Sequence, residues 1–252
     1  MSGHNKWSSI KHKKGREDAR RGKMFARFGK EITLAARDGG GDIDMNPRLR
    51  AAVDTAKENN MPNDNIERAI KKGTGELEGG KLEEMNYEGY TPGGIAVLVA
   101  CVSDNRNRTA SNIRAYFNKH NGNLAENGAV SWMFQRKARF VVKSNFADEE
   151  KLLEILMEAE ADSADLTPGE DSIEILAAPE EFDNIANALN DAKIPVSESG
   201  LTFVTDNTML ISDSDMARKI VSMIEEIEED EDVNEVYTNM ELSDELAQEL
   251  AA

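Results

Sequence analysis

The stretch Ile95-Ala96-Val97-Leu98-Val99-Ala100-Cys101-Val102, followed at once by Ser103-Asp104-Asn105-Arg106-Asn107-Arg108, decides the fold. The apolar run is far shorter than the ~20 residues a membrane helix needs, and it is rich in valine, so it reads as a buried strand. Ser103, Asp104 and Asn105 are residues that cap a helix start. A helix expected over Asn105 to His120 and a strand over Ala129 to Phe134 complete a βαβ unit. The same texture continues downstream. Strands at Arg139 to Val142, Ser172 to Ala177 and Leu201 to Val204 alternate with helices at Asp148 to Ala161 and Pro179 to Ala192, the proline sitting near a first turn that tolerates it. Thr208 to Ile211, Ser214 to Glu229 and Val233 to Asn239 then read as strand, helix and strand. A ferredoxin-like sheet needs two such halves, and the middle region is almost complete by itself. The expectation is that residues 81–135 pair with 206–240 and that 136–205 lie between them as an insertion. Adjacency of consecutive elements also allows two sequential domains.

Upstream the period changes to three and four. Phe25, Phe28, Ile32 and Ala35 mark one helical face that stops at Asp38-Gly39-Gly40-Gly41. Leu49, Ala52, Val53 and Ala56 repeat the pattern after Pro47, and Ile66, Ala69 and Ile70 repeat it after Pro62. Helices this short are marginal alone, so residues 17–73 are expected to bury these stripes mutually in a bundle, behind an arm of residues 1–16 that has no apolar period. The expected fold class is multidomain α and α+β: an N-terminal three-helix bundle plus two ferredoxin-like α+β domains, one inserted in the other. The boundaries are 1–80, 81–135 with 206–240, 136–205, and an acidic tail over 241–252.

The chain of 252 residues is 39% hydrophobic and 31% charged, the profile of a highly charged globular protein. Cys101 is the single cysteine and no signal segment opens the chain, so a reducing, cytoplasmic compartment is expected and no membrane partner. The net charge of −18 hides an asymmetry: residues 1–80 carry 17 Lys/Arg against 12 Asp/Glu, 81–144 carry 9 against 5, and 145–252 carry 4 against 31. A basic end on an acidic protein points to a directed contact with an anion.

The basic segment is Lys6, Lys11, Lys13, Lys14, Arg16, Arg20, Arg21, Lys23, Arg27 and Lys30, interleaved with His4, Trp7 and His12. Each cation that neutralises a phosphate releases condensed counterions, and Trp7 offers a face on which an exposed base can stack. The plainer reading is a solvated arm, but a protein already so charged has no need of one for solubility. A second candidate is the Ser103–Arg108 loop. Arg106 and Arg108 in a first helical turn oppose the helix dipole, and together with free backbone N–H groups they suit a phosphate. Pairing with Glu83, Glu84 or Glu88 explains them equally well. Arg114 is taken as assisting them, and Lys119, Arg136, Lys137 and Arg139 extend the positive charge. The acidic stretch Glu225 to Asp232 reads as a solvated helix end.

The common enzyme signatures fail on spacing or residue type. Gly15 to Gly22-Lys23 has the wrong glycine spacing for a phosphate-binding loop, with Met24 in place of Ser/Thr. Gly93-Gly94 precedes its strand and so is a turn, not a dinucleotide fingerprint. His4, His12 and His120 are scattered and no CxxC or HExxH occurs, so no metal and no cofactor are predicted. Cys101 inside an apolar strand reads as a buried hydrophobe.

Several motifs are found together: Gly3-His4-Asn5-Lys6-Trp7, His12-Lys13-Lys14-Gly15, Asp18-Ala19, Arg21-Gly22-Lys23, Lys30-Glu31-Ile32, Asn65 to Ile70, Tyr87-Glu88-Gly89-Tyr90, Pro92-Gly93-Gly94, Asp104 to Thr109 and Trp132-Met133-Phe134. As an ordered set from residue 3 to about 240 they resemble the YebC/PmpR family. Asn121 to Ala125 and Gly128-Ala129-Val130 depart from its usual Gly-Gly-Asn-Leu-Gly and Gly-Ser-Val. The resemblance implies three domains, no catalysis and a cytoplasmic DNA-binding transcriptional regulator. Other members, including the mitochondrial activator of cytochrome c oxidase translation, resemble ribosome-associated factors that relieve stalling. With the motif starting at Gly3, a bacterial cytoplasmic protein is expected.

The function read from the sequence is thus a non-enzymatic regulator that binds nucleic acid through residues 4–30, assisted by Arg106, Arg108 and Arg114. The residues do not choose between DNA and ribosomal RNA, and an acidic scaffold for a basic protein is the remaining alternative. Oligomeric state is not legible.

Overall fold

The computed structural model describes residues 17–78, 80–169, 171–243 and 246–247, and for residues 17–21 the backbone alone. The described residues divide into two compact units: the chain up to Lys23 with 80–135 and 203 onward, and 24–79 with 136–202.

In the second unit the helices are α1 (Glu17–Gly39), which begins in the first unit, α2 (Pro47–Glu58) and α3 (Asn63–Gly73). Asn46 sets the α1–α2 corner. Its Oδ1 accepts the Leu49 N–H at 3.0 Å as an N-cap, while its Nδ2 donates to the Ala35 and Gly40 carbonyls at 2.9 and 2.8 Å. Thr33 Oγ1 donates to the Ala69 carbonyl and ties α3 to α1. The stripes read from the sequence meet in one core of Ile32, Ala35, Leu49, Val53, Ala56, Ile66 and Ala69.

The same unit holds a four-stranded sheet in the order β5-β6-β4-β7, built from β4 (Gln135–Lys143), β5 (Asp165–Pro168), β6 (Ser172–Ala177) and β7 (Val196–Val204). Helix α5 (Glu149–Glu158) joins β4 to β5 and α6 (Phe182–Asp191) joins β6 to β7, which is the ferredoxin-like arrangement. Phe140, Val142, Leu152, Leu156, Ile175, Ile185 and Leu189 fill its core. Arg139 is spent across strands, on Glu174 and on Glu198, so it adds no free positive charge.

The first unit carries the sheet β3-β1-β2-β9, from β1 (Glu83–Tyr90), β2 (Ala96–Ser103), β3 (Asn123–Leu124) and β9 (Val233–Thr238). All its pairings are antiparallel, and β1 lies between β2 and β3, which run the same way and are joined by α4 (Arg106–Lys119): a split βαβ. Strand β2 is apolar throughout because both of its faces are covered. Val97, Val99 and Cys101 meet Ile113 and Phe117 of α4 and Ile220 and Ile224 of α7 (Ser214–Glu228), while Ala96 and Leu98 meet Val130, Phe134 and Tyr237. A short parallel ribbon of β8 (Met209–Ile211) and β10 (Met240–Leu242) closes the first of these cores, into which Leu246 is also buried.

The expected strand over Ala129 to Phe134 is corrected: Ser131–Met133 form a 3-10 turn, and the third strand is the two-residue β3. The backbone N–H groups of Gly128, Val130 and Ser131 are taken by the Glu88 carboxylate and are lost to any ladder. Strand β1, too polar to be read as one, is held by its eight-position register with β2. Within it Gly89 lies flat against α4. A Cβ there would meet the Phe117 ring and the Asn123 carbonyl, so Gly89→Ala is expected to destabilise the protein by about 2–3 kcal/mol in chemical denaturation.

Candidate nucleic-acid interface

Lys6, Trp7, Lys11, His12, Lys13, Lys14 and Arg16 lie outside the described residues, and Arg20 and Arg21 are described as backbone of α1 only. Lys23, Arg27 and Lys30 follow on that helix at spacings of four and three, which puts them on one side of it. Helical rotation sets that side roughly opposite Phe28 and Ile32, the residues that turn toward the core, and position 20 falls on it by its backbone. The basic segment therefore ends as a helical stripe. The spacing of four and three that makes the stripe is present in the sequence itself. None of the three is fully unengaged: the Lys23 ammonium lies 3.5 Å from the Glu228 carbonyl, and Arg27 and Lys30 also have partners.

The second candidate is changed more. Asn105 caps α4 by accepting the Arg108 N–H at 3.1 Å, and the Arg108 side chain turns to Asp232. Its Nε and Nη2 reach the two carboxylate oxygens at 2.8–3.0 Å, with Ser103 Oγ at 3.2 Å and Asp104 at 3.3 Å. Asp232 is 4% exposed and also accepts from the Thr109 hydroxyl at 2.9 Å. Hydrogen bonding and charge from Asp232 hold the Arg108 guanidinium further above its already high range. The partner is thus Asp232, not Glu83, Glu84 or Glu88.

Along the same helix Asn112 and Tyr116 donate to Asp230 at 2.8 and 3.1 Å, and Lys119 and His120 meet Glu226 at 2.6 and 2.7 Å. Burial, then the Asp230 charge and hydrogen bond, push the Tyr116 phenol up to about 12, so it remains the donor. Hydrogen bonds from Lys119 and His120 hold the Glu226 carboxyl below its ordinary range. The acidic stretch over 225–232 is therefore not a solvated helix end: Asp230 and Asp232 are buried, and α4 binds it at three points. The complementary pattern of α4 is visible only once the topology lays it beside residues 225–232.

Arg106 and Arg114 remain outward on α4, eight residues and so about 12 Å of helix apart, with no ion pair among the described residues. Because Arg108 is engaged inside the fold, Arg108→Ala is expected to lower the melting temperature while leaving the slope of log K against log salt unchanged. A fall of about 0.9 in that slope would instead assign Arg108 to a phosphate. Among the described residues no cluster of His, Cys, Asp or Glu is arranged to hold a metal ion. No described helix is long and apolar enough to cross a membrane.

Two family profiles match this architecture. Residues 5–76 fit the TACO1/YebC protein N-terminal domain, and residues 82–240 fit the TACO1/YebC second and third domain. The chain belongs to the TACO1/YebC family. A "probable transcriptional regulatory protein" of Natranaerobius thermophilus is 48% identical, with 98% of each chain covered, and one of Desulfosudis oleivorans is 51% identical over 97% of this chain and 98% of that one. The crystal structure of a conserved hypothetical protein from Aquifex aeolicus is 45% identical and superposes with a TM-score of 0.80, covering 93% of this chain and 96% of that one. The TACO1/YebC fold, a helical N-terminal domain followed by two α+β domains, is the one described above. The family is one of regulators and not of enzymes.

Proposed function

We propose that this TACO1/YebC protein is a non-enzymatic, cytoplasmic regulator of gene expression that binds DNA, using no cofactor. Contact is made by Lys6, Trp7, Lys11, His12, Lys13, Lys14, Arg16, Arg20, Arg21, Lys23, Arg27 and Lys30, with Arg106 and Arg114 as outlying cations and Arg108 as a positioning residue. The observation that carries this reading is the concentration of ten Lys/Arg in the first 30 residues of a chain whose net charge is −18, ending as a stripe on the outer side of α1. A polyanion is attracted to that end and repelled by residues 145–252, which carry 4 Lys/Arg against 31 Asp/Glu. On this division residues 1–80 make the contact. The α+β domain of 81–135 with 206–240, the acidic domain of 136–205 and the tail of 241–252 orient it and keep non-cognate partners away.

A second reading, contact with ribosomal RNA, is favoured by one observation. With Arg108 bound to Asp232, the start of α4 presents Arg106 without a second guanidinium beside it, which offers nothing specific to duplex DNA, and phosphate and shape recognition serve RNA as well as DNA. Anisotropy of labelled duplex DNA and of hairpin RNA at several salt concentrations tests both. A steep negative salt slope with either supports nucleic-acid binding, the tighter partner picks the class, and a flat slope with both refutes it.

A further inference from the structure

Trp132 belongs to neither core, and its side chain is 70% exposed on a loop that the fold holds from behind. Glu88, itself 4% exposed, accepts the N–H groups of Gly128, Val130 and Ser131 at 2.7–2.8 Å. The Tyr90 hydroxyl donates to the Ala129 carbonyl at 3.0 Å, and Val130 and Phe134, on either side of the 3-10 turn, are buried against β2. The indole Nε1 donates to the same Ala129 carbonyl at 3.1 Å. Its one polar group is therefore used inside the loop, and what faces solvent is a flat apolar ring in a fixed orientation.

Such a ring costs little ordering entropy to stack upon and offers a partner no hydrogen bond. A fixed, solvent-facing planar π-face whose only polar group is already used matches a nucleobase, which stacks through such a face whatever its edges carry.

We propose that Trp132 is a stacking site for an unpaired nucleobase, separate from the basic segment. This rests on the reading of the protein as a nucleic-acid binder and adds that part of the target is single-stranded.

The test uses the full-length protein with labelled oligothymidylate, oligouridylate and a duplex, following anisotropy for binding and tryptophan emission for stacking. Comparison with Trp132→Phe separates the signal of Trp132 from that of Trp7. The expected result is quenching on saturation with a single strand that is lost in Trp132→Phe. Trp132→Ala should bind single strands about fivefold to a hundredfold more weakly, while its duplex affinity stays within about twofold, and Trp132→Phe should recover part of the loss. The oligothymidylate and oligouridylate arms tell whether the base comes from DNA or RNA. Binding with no Trp132-dependent quenching and no loss in Trp132→Ala overturns the stacking site, leaves nucleic-acid binding standing and returns the ring to a protein contact. No binding of any oligonucleotide overturns the underlying reading and the stacking site with it.

Discussion

Reversing Lys13, Lys14, Arg20 and Arg21 to glutamate is expected to abolish measurable binding to duplex DNA or structured RNA at physiological salt. If each of the four cations neutralises one phosphate, their loss removes about 3–4 from the slope of log K against log salt, and the four new negative charges add repulsion on top. A loss of affinity of at least about a thousandfold follows, because proteins making 6–10 phosphate contacts already lose about a thousandfold or more between 50 and 200 mM salt. The fold should survive the change. The Lys13 and Lys14 positions precede the helical core, and the bundle is held by Asn46 and by the packed faces of Ile32, Leu49, Val53 and Ile66. Circular dichroism and melting temperature close to wild type would establish that binding, and not folding, was lost. Affinity and slope that persisted unchanged would remove the segment from the interface.

The second large effect is on stability. Glu88→Ala strips the acceptor from three backbone N–H groups, of which that of Val130 is fully buried, and is expected to cost about 2–4 kcal/mol. Burial by itself would raise the Glu88 pKa. The N–H groups of Gly128, Val130 and Ser131 outweigh it and hold the carboxyl below its ordinary value. A folded-state pKa below the unfolded one contributes stability that is fully present above about pH 4.3, the ordinary glutamate value, and disappears as pH falls through the depressed pKa. Urea denaturation should therefore separate wild type from Glu88→Gln at pH 7 and bring the two together toward pH 3. A gap that stayed constant over that range would mean the carboxylate charge is not what holds the loop.

Much of the fold was legible because its elements are periodic. The helical faces of Phe28 and Ile32, Leu49 and Val53, and Ile66 and Ala69 converge as read, and Ser172 to Ala177 is the strand the alternation indicated. The rest depends on partners distant in sequence. Strand β1 looks polar because Glu88 serves a loop forty residues on, and Ala129 to Phe134 looks like a strand until that carboxylate captures its backbone. Asp230 and Asp232 look solvated because Asn112, Tyr116 and Arg108, which satisfy them, lie more than a hundred residues away. At the candidate interface the charge asymmetry was plain from the residues alone. Sorting Arg106 and Arg114 from Arg108 was not, because an arginine beside an N-cap looks the same whether it faces a phosphate or a buried aspartate.

The central claim is that the basic N-terminal segment contacts nucleic acid in the cell. Ultraviolet crosslinking in intact cells, with purification of the protein, sequencing of the attached nucleic acid and mass mapping of the crosslinked peptides, tests it most directly. The account predicts crosslinks within residues 4–30, to enriched promoter DNA for a transcriptional regulator or to one dominant region of ribosomal RNA for a translation factor. No attached nucleic acid beside an efficiently crosslinked control, or crosslinks confined to residues 145–252, would contradict it.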